Sequence, residues 1–223
     1  MNRLGILIPS ELEAAILTAL PGEEINFGGF LGRQGPSYLA LICGVGEANA
    51  AAAVGYLAGR FQIPRLVLLG IAGVYPGSRL RLGEAALASE EIHADLGLAQ
   101  GGMAALGIPS LRTADQAYYN NFPASEWALQ LGAALGLPMV KFLTRDRVSE
   151  SEPQAHELAQ RYGAEIENME GAGAALAAIR LGVDFAQIRS VSNPAGQRDR
   201  AQWDVAGALS TLQKVLEQVL ALE

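Results

Sequence analysis

The strongest constraint on the fold is an alternation. Short runs of apolar residues, too short for helices and bounded by Gly or Pro, alternate with Ala-rich stretches of helical length. Leu4 to Ile8, Tyr38 to Cys43, Leu66 to Leu69, Val140 to Thr144 and Phe185 to Val191 read as buried strands. Between them, helices are expected over Glu11 to Leu20, Glu47 to Arg60, Ser125 to Leu135 and Glu152 to Tyr162, with a last one from Trp203 to Leu222. Strands that are apolar on both faces must be covered on both faces. An α/β fold follows, with a parallel or mostly parallel sheet between helical layers. Ile25 to Leu31 is expected as one further strand, and Glu84 to Ser89 and Glu91 onward as two. Gly97 to Asn121, irregular and rich in Gly, Tyr and Phe, reads as an excursion from the core.

No linker or repeat divides the 223 residues, so a single domain over 1–223 is expected. The net charge of −7 argues against nucleic acid or an anionic membrane surface as partner. It leaves room for one small anionic substrate held by local arginines. Cys43 is the single cysteine, which excludes an internal disulfide, and it sits in an apolar run where packing is its expected role. With His93 and His156 in unrelated contexts, no zinc-binding spacing exists. The first residues form neither a signal peptide nor a membrane span, and a reduced, cytoplasmic protein is the expectation.

The stretch Glu165 to Ile179, E-I-E-N-M-E-G-A-G-A-A-L-A-A-I, reads as a strand end turning into a helix. Asn168 is a good N-cap, which places Glu170 in the first turn, where the helix dipole favours a carboxylate. The Gly and Ala that follow let the helix approach a sheet closely. A fixed carboxylate beside such a space can take both hydroxyls of a vicinal diol. The same pattern also describes a capped core helix with a solvated acid. Glu13, after the first strand, is either a general base at the carboxyl edge of the sheet or a first-turn acid in water. Gly44-Val45-Gly46 precedes a helix, but Asn49 stands where a dinucleotide fingerprint needs its third glycine. Gly70-Ile71-Ala72-Gly73 reads as a glycine loop without the Lys and Ser of a phosphate cradle. Glu91, His93 and Asp95 form a polar cluster read as structural or interfacial. Asn193 can donate and accept at once, which suits an oxopurine; an Asx turn before Pro194 is the alternative.

Taken together, Glu13, Gly70-Ile71-Ala72-Gly73, Gly83-Glu84, Asn168-Met169-Glu170-Gly171-Ala172 and Ser192-Asn193 resemble the nucleoside phosphorylase and nucleosidase superfamily. The runs Ser89 to Gly97 and Ser192 to Asp199 are most similar to the futalosine hydrolases, nucleosidases of an alternative menaquinone pathway. The resemblance implies a three-layer sandwich with a central mixed sheet, hydrolysis of an N-ribosidic bond, no cofactor and no metal. By the same resemblance Glu13 activates water, Glu170 grips the ribose diol, and Met169, beside Asn168, packs beneath the sugar. Val148, Ile71, Ala72 and Gly73 would border the substrate, and Trp203 would cover the base. Methylthioadenosine/S-adenosylhomocysteine nucleosidases carry Ser-Asp where this chain has Ser192-Asn193, which points to hypoxanthine rather than adenine. Phosphorylases of the fold hold phosphate with cations and a serine; Ile71 stands at that serine, so water is the expected nucleophile. The benzoate on the 5′ substituent would meet Arg198, Arg200 or Arg145, and Tyr118, Tyr119 or Phe122. A homo-oligomer, a dimer or an assembly of dimers, is implied as well. A reading of another class is a non-catalytic nucleoside-binding protein.

Overall fold

The computed structural model describes residues 3–223, so positions 1 and 2 of the expected domain lie outside the described residues. In chain order the strands are β1 (Leu4–Ile8), β2 (Glu23–Phe27), β3 (Phe30–Gln34), β4 (Tyr38–Ile42), β5 (Arg65–Val74), β6 (Ala85–His93), β7 (Leu111–Arg112), β8 (Ala117–Tyr118), β9 (Asn121–Pro123), β10 (Met139–Thr144), β11 (Ile166–Asn168) and β12 (Asp184–Pro194). The helices are α1 (Glu47–Phe61), α2 (Gly102–Leu106), α3 (Glu126–Leu135), α4 (Glu152–Tyr162), α5 (Gly171–Leu181) and α6 (Val205–Leu222).

A ten-stranded mixed sheet runs in the order β11-β10-β6-β12-β5-β1-β4-β3-β2, with β9 paired to β6. The pairs β1–β4, β1–β5, β12–β5, β10–β6 and β10–β11 are parallel; β12–β6, β3–β4 and β2–β3 are antiparallel. The end of β5 also pairs with β11, Val74 opposite Ile166, so five strands close into a ring at one end of the sheet. Helices cover both faces. On one, α1 and α5 pack through Ala50, Ala53, Val54, Leu57, Ala172, Ala175 and Ala178. Their small side chains let the helices lie close to the strands. On the other, Leu131 of α3 and Leu212, Val215, Leu216 and Val219 of α6 meet Ile6, Val67 and Ile188. Those α6 positions recur at helical spacing, and Asp204 caps the helix by accepting the Gly207 N–H.

Several expected boundaries move for physical reasons. Gly28 and Gly29, both at positive φ, turn the expected strand Ile25 to Leu31 into a hairpin of β2 and β3. The helix expected over Glu11 to Leu20 is a short 3₁₀ helix, Glu13–Leu17, whose start is fastened by mutual Ser10–Glu13 hydrogen bonds. The polar Ser89-Glu90-Glu91 does not break a strand, because β6 runs through it with Glu91 turned inward. Gly70-Ile71-Ala72-Gly73 is not a loop but the end of β5, paired with β12 throughout. Likewise β12 continues past the expected end at Val191 to Pro194, taking in Ser192 and Asn193.

Candidate active site

Five chain segments converge on the carboxyl ends of β1, β5 and β12, where open α/β sheets place ligands. Glu13, Ile71, Ala72, Gly73, Val148, Asn168, Met169, Glu170, Asn193 and Trp203, scattered through the sequence, all border one cavity of about 230 Å³. Arg189, Glu167, Ser149, Gly196 and Arg198 border it too.

Glu170 is itself the N-cap of α5, where Asn168 was expected, so the helix starts two residues later, and Glu170 is 3% exposed. The capping bonds still come from Asn168, whose Oδ1 accepts from Glu170 N at 3.0 Å and Gly171 N at 2.7 Å. The Asn168 amide nitrogen reaches back to Glu91 Oε2 at 3.3 Å. Asn168 thus builds the corner on which Glu170 stands. Glu170 Oε1 accepts the N–H of Gly46, the N-cap of α1, at 3.0 Å. Gly46 has φ 97°, which favours glycine, and that conformation aims its amide at the carboxylate. Glu170 therefore faces two helix N-termini at once, both favouring negative charge. This is the role of the Gly44-Val45-Gly46 turn.

The residue that sequence reasoning missed is Arg189. It is 1% exposed and donates from Nη2 to Glu170 Oε2 at 2.6 Å, while Nη1 lies 4.0 Å from Glu13 Oε1. A guanidinium this deep needs partners, and the two carboxylates supply them. Gly70 makes the room: a Cβ there would overlap Arg189 Nη1. The signal was present, since an arginine inside the apolar run Phe185 to Val191 is a buried charge that must be paired. The trio carries two negative charges and one positive. Glu13 also accepts the Ile71 N–H at 2.8 Å. Burial pushes its carboxyl above the ordinary carboxylate range, with Arg189, Ser10 and the Ile71 amide offsetting part of the rise.

At the other end of the cavity, the Asn193 side chain accepts from Ser192 Oγ at 2.8 Å and donates to Pro194 O at 3.0 Å. Each of its polar atoms keeps capacity for one more bond. Glu167, also unforeseen, accepts from Ser149 N at 2.9 Å and Tyr75 Oη at 2.9 Å, fastening the turn that carries Val148. Of the three arginines named for the 5′ substituent, Arg198 borders the cavity and lies over the Trp203 ring, 5.9 Å from its centroid. Arg145 instead joins Asp95 at 3.4 Å and approaches Glu167, and Arg200 is not on the wall. Tyr118, Tyr119 and Phe122 border other cavities of the protomer. Cys43 is buried, its thiol pushed up to about 12 by burial and then by Glu170, which makes it packing rather than a nucleophile. The described residues hold no cluster of His, Cys, Asp and Glu fit for a metal. No described helix is long and apolar enough to cross a membrane.

The phosphorylase superfamily model matches residues 3–222. The chain is 43% identical to futalosine hydrolase of Thermus thermophilus over 219 residues, covering 98% of this chain and 95% of that protein. It is 32% identical to futalosine hydrolase of Streptomyces coelicolor over 200 residues, covering 86% and 83%. Among solved structures, a futalosine hydrolase mutant of Helicobacter pylori superposes with TM-score 0.85 over 100% of both chains at 20% identity, a likeness of fold. Matched along nearly its whole length, the chain belongs to the phosphorylase superfamily and, within it, to the futalosine hydrolases.

Proposed function

We propose that the protein hydrolyses the N-ribosidic bond of futalosine, releasing hypoxanthine and leaving dehypoxanthine futalosine. The observation that carries this is the Glu13–Arg189–Glu170 trio, set in one cavity with Asn193. Glu170 has lone pairs left beyond Gly46 and Arg189, and these accept the 2′ and 3′ hydroxyls. The net negative trio stabilises the sugar ring as it gains oxocarbenium character. Met169 packs beneath the ribose. Glu13, kept basic by burial, takes a proton from water as the water oxygen bonds to C1′. The C1′–N9 electron pair leaves with the purine, which takes a proton from solvent water, and Glu13 returns its own proton to solvent. Asn193 donates to the purine as charge flows into it. Val148 and Trp203 flank the substrate, and Ile71, Ala72 and Gly73 form the wall behind it.

Water rather than phosphate is the nucleophile, because Arg189 is already shared by two carboxylates and Ile71 offers no hydroxyl. Arg198, with no carboxylate within ion-pair distance among the described residues, meets the benzoate of the 5′ substituent. The protein works in the cytoplasm as a homo-oligomer, a dimer or an assembly of dimers. Leu98, Leu106 and Ile108 of the irregular segment, all exposed, supply apolar surface for a neighbouring copy that closes the pocket.

Incubation with futalosine, inosine, methylthioadenosine and S-adenosylhomocysteine, with and without phosphate, tests the reading by following free base. Hypoxanthine release from futalosine, independent of phosphate, is the expected result. Phosphate-dependent cleavage of inosine, or preferred release of adenine, would overturn it. A binding protein without activity would release no base from any of the four.

A further inference from the structure

Three neighbouring strands, β6, β10 and β11, carry a buried polar group that ends under the first residues of α5. Glu91 of β6 is its inner member, and the mechanism above does not use it. Glu91 Oε2 accepts from Thr144 Oγ1 at 2.8 Å and from Asn168 Nδ2 at 3.3 Å. Its Oε1 has no hydrogen-bond partner among the described residues. Thr144 Oγ1 in turn accepts the Ala172 N–H at 2.9 Å. With the Glu170 and Gly171 amides on Asn168 Oδ1, the backbone donors of Glu170, Gly171 and Ala172 all end on this group. Gly171 lets the helix start settle on it, since a Cβ there would overlap the Glu91 carboxyl.

What Glu91 supplies is a choice of orientation. The Asn168 amide can face α5 with its oxygen or, turned over, with its NH₂, which would oppose two N–H donors. Thr144 has a single hydroxyl proton, and Asn168 Oδ1, 3.3 Å away, competes for it. A carboxyl oxygen that takes both the Thr144 proton and the Asn168 NH₂ leaves Oδ1 free for the helix. Without that acceptor the Thr144 proton turns to Asn168 Oδ1, and the Asn168 NH₂ keeps only Leu143 O at 3.4 Å. We propose that Glu91 is a positioning residue for the reaction, fixing Asn168 and Thr144 and, through them, the place of Glu170 against the ribose diol. The role rests on the ribonucleoside hydrolysis proposed above. Networks of this kind hold their geometry only when every member is satisfied.

Ribose preference and amide hydrogen exchange test it. The preference is kcat/KM for futalosine over kcat/KM for 2′-deoxyfutalosine; the intrinsic reactivity of the deoxy sugar is common to all variants. Glu91→Leu is expected to cut the wild-type preference about tenfold and to speed exchange of the Gly171 N–H. Glu91→Gln keeps an acceptor and is expected to hold both within about twofold of wild type. Thr144→Val removes the shorter link at equal size and is expected to lower the preference likewise. It decides the matter if Glu91→Leu fails to fold. A merely structural role would slow both substrates together. Slower turnover at unchanged preference, a glutamine variant as impaired as the leucine one, or unaltered exchange at Gly171 would each overturn the proposal. A wild-type protein that releases no base from futalosine would overturn the hydrolysis reading instead, and exchange at Gly171 would still judge Glu91.

Discussion

Replacing Glu91 by glutamine isolates the cost of one buried ionisation. Glu91 lies wholly inside the protein, and burial pushes its carboxyl from 4.5 up to about 7; Thr144, Arg189 and Asn168 pull down and Glu47 pushes up. Between these two values the native state holds a proton that the unfolded chain has released. Stability therefore falls as pH rises across that window, with the carboxyl's contribution intact below 4.5 and lost above about 7. The gap between 4.5 and about 7 corresponds to roughly 3 kcal/mol. Glutamine copies the protonated form: its oxygen can keep the bonds from Thr144 and Asn168, and its nitrogen replaces the orphan Oε1. Urea unfolding of wild type and Glu91→Gln at a series of pH values reads the difference. The two are expected to match near pH 4.5, and the variant to be about 3 kcal/mol more stable by pH 8. A difference that does not change with pH, or one that grows in the opposite direction, would refute the reasoning.

Three further outcomes are expected. Glu13→Gln should lower kcat on futalosine by about 10²- to 10⁴-fold with little change in unfolding midpoint, as for a lost general base. Arg189→Met leaves Glu13 and Glu170 facing each other without their cation and should cost about 3–5 kcal/mol in denaturant unfolding, in addition to lost turnover. Arg198→Met should raise KM for futalosine at least tenfold while leaving kcat near wild type, and should leave KM for inosine unaltered, since inosine lacks the 5′ carboxylate.

Much of the architecture was legible because local chemistry and tertiary context agree. L-G-I-L-I before Pro9 has no option but a buried strand. Glu152–Tyr162 starts after Ser151 with Pro153 in its first turn and ends at Gly163 in the left-handed region, as the sequence pattern requires. Gly70 to Gly73 misled because two glycines in four residues look like a loop. There the ladder to β12 overrides propensity, and the missing side chain serves Arg189 instead. Of the site, Glu13, Glu170 and Asn193 could be named from motif and position. Glu167 and the Gly46 amide could not be placed, since no local pattern announces them; Arg189 is marked by its apolar run as a charge needing partners, but those partners lie far off in sequence.

The ring formed when β11 pairs with β5 has a consequence for how the protein becomes active. Tyr75 meets Glu167 across 92 residues of chain, and Gly46 meets Glu170 across 124. Neither contact can form until the intervening chain has been made and collapsed, and loop closure over such spans slows folding. Catalytic competence should therefore appear late and all at once during refolding, after most helix signal has returned, with no partly active species on the way.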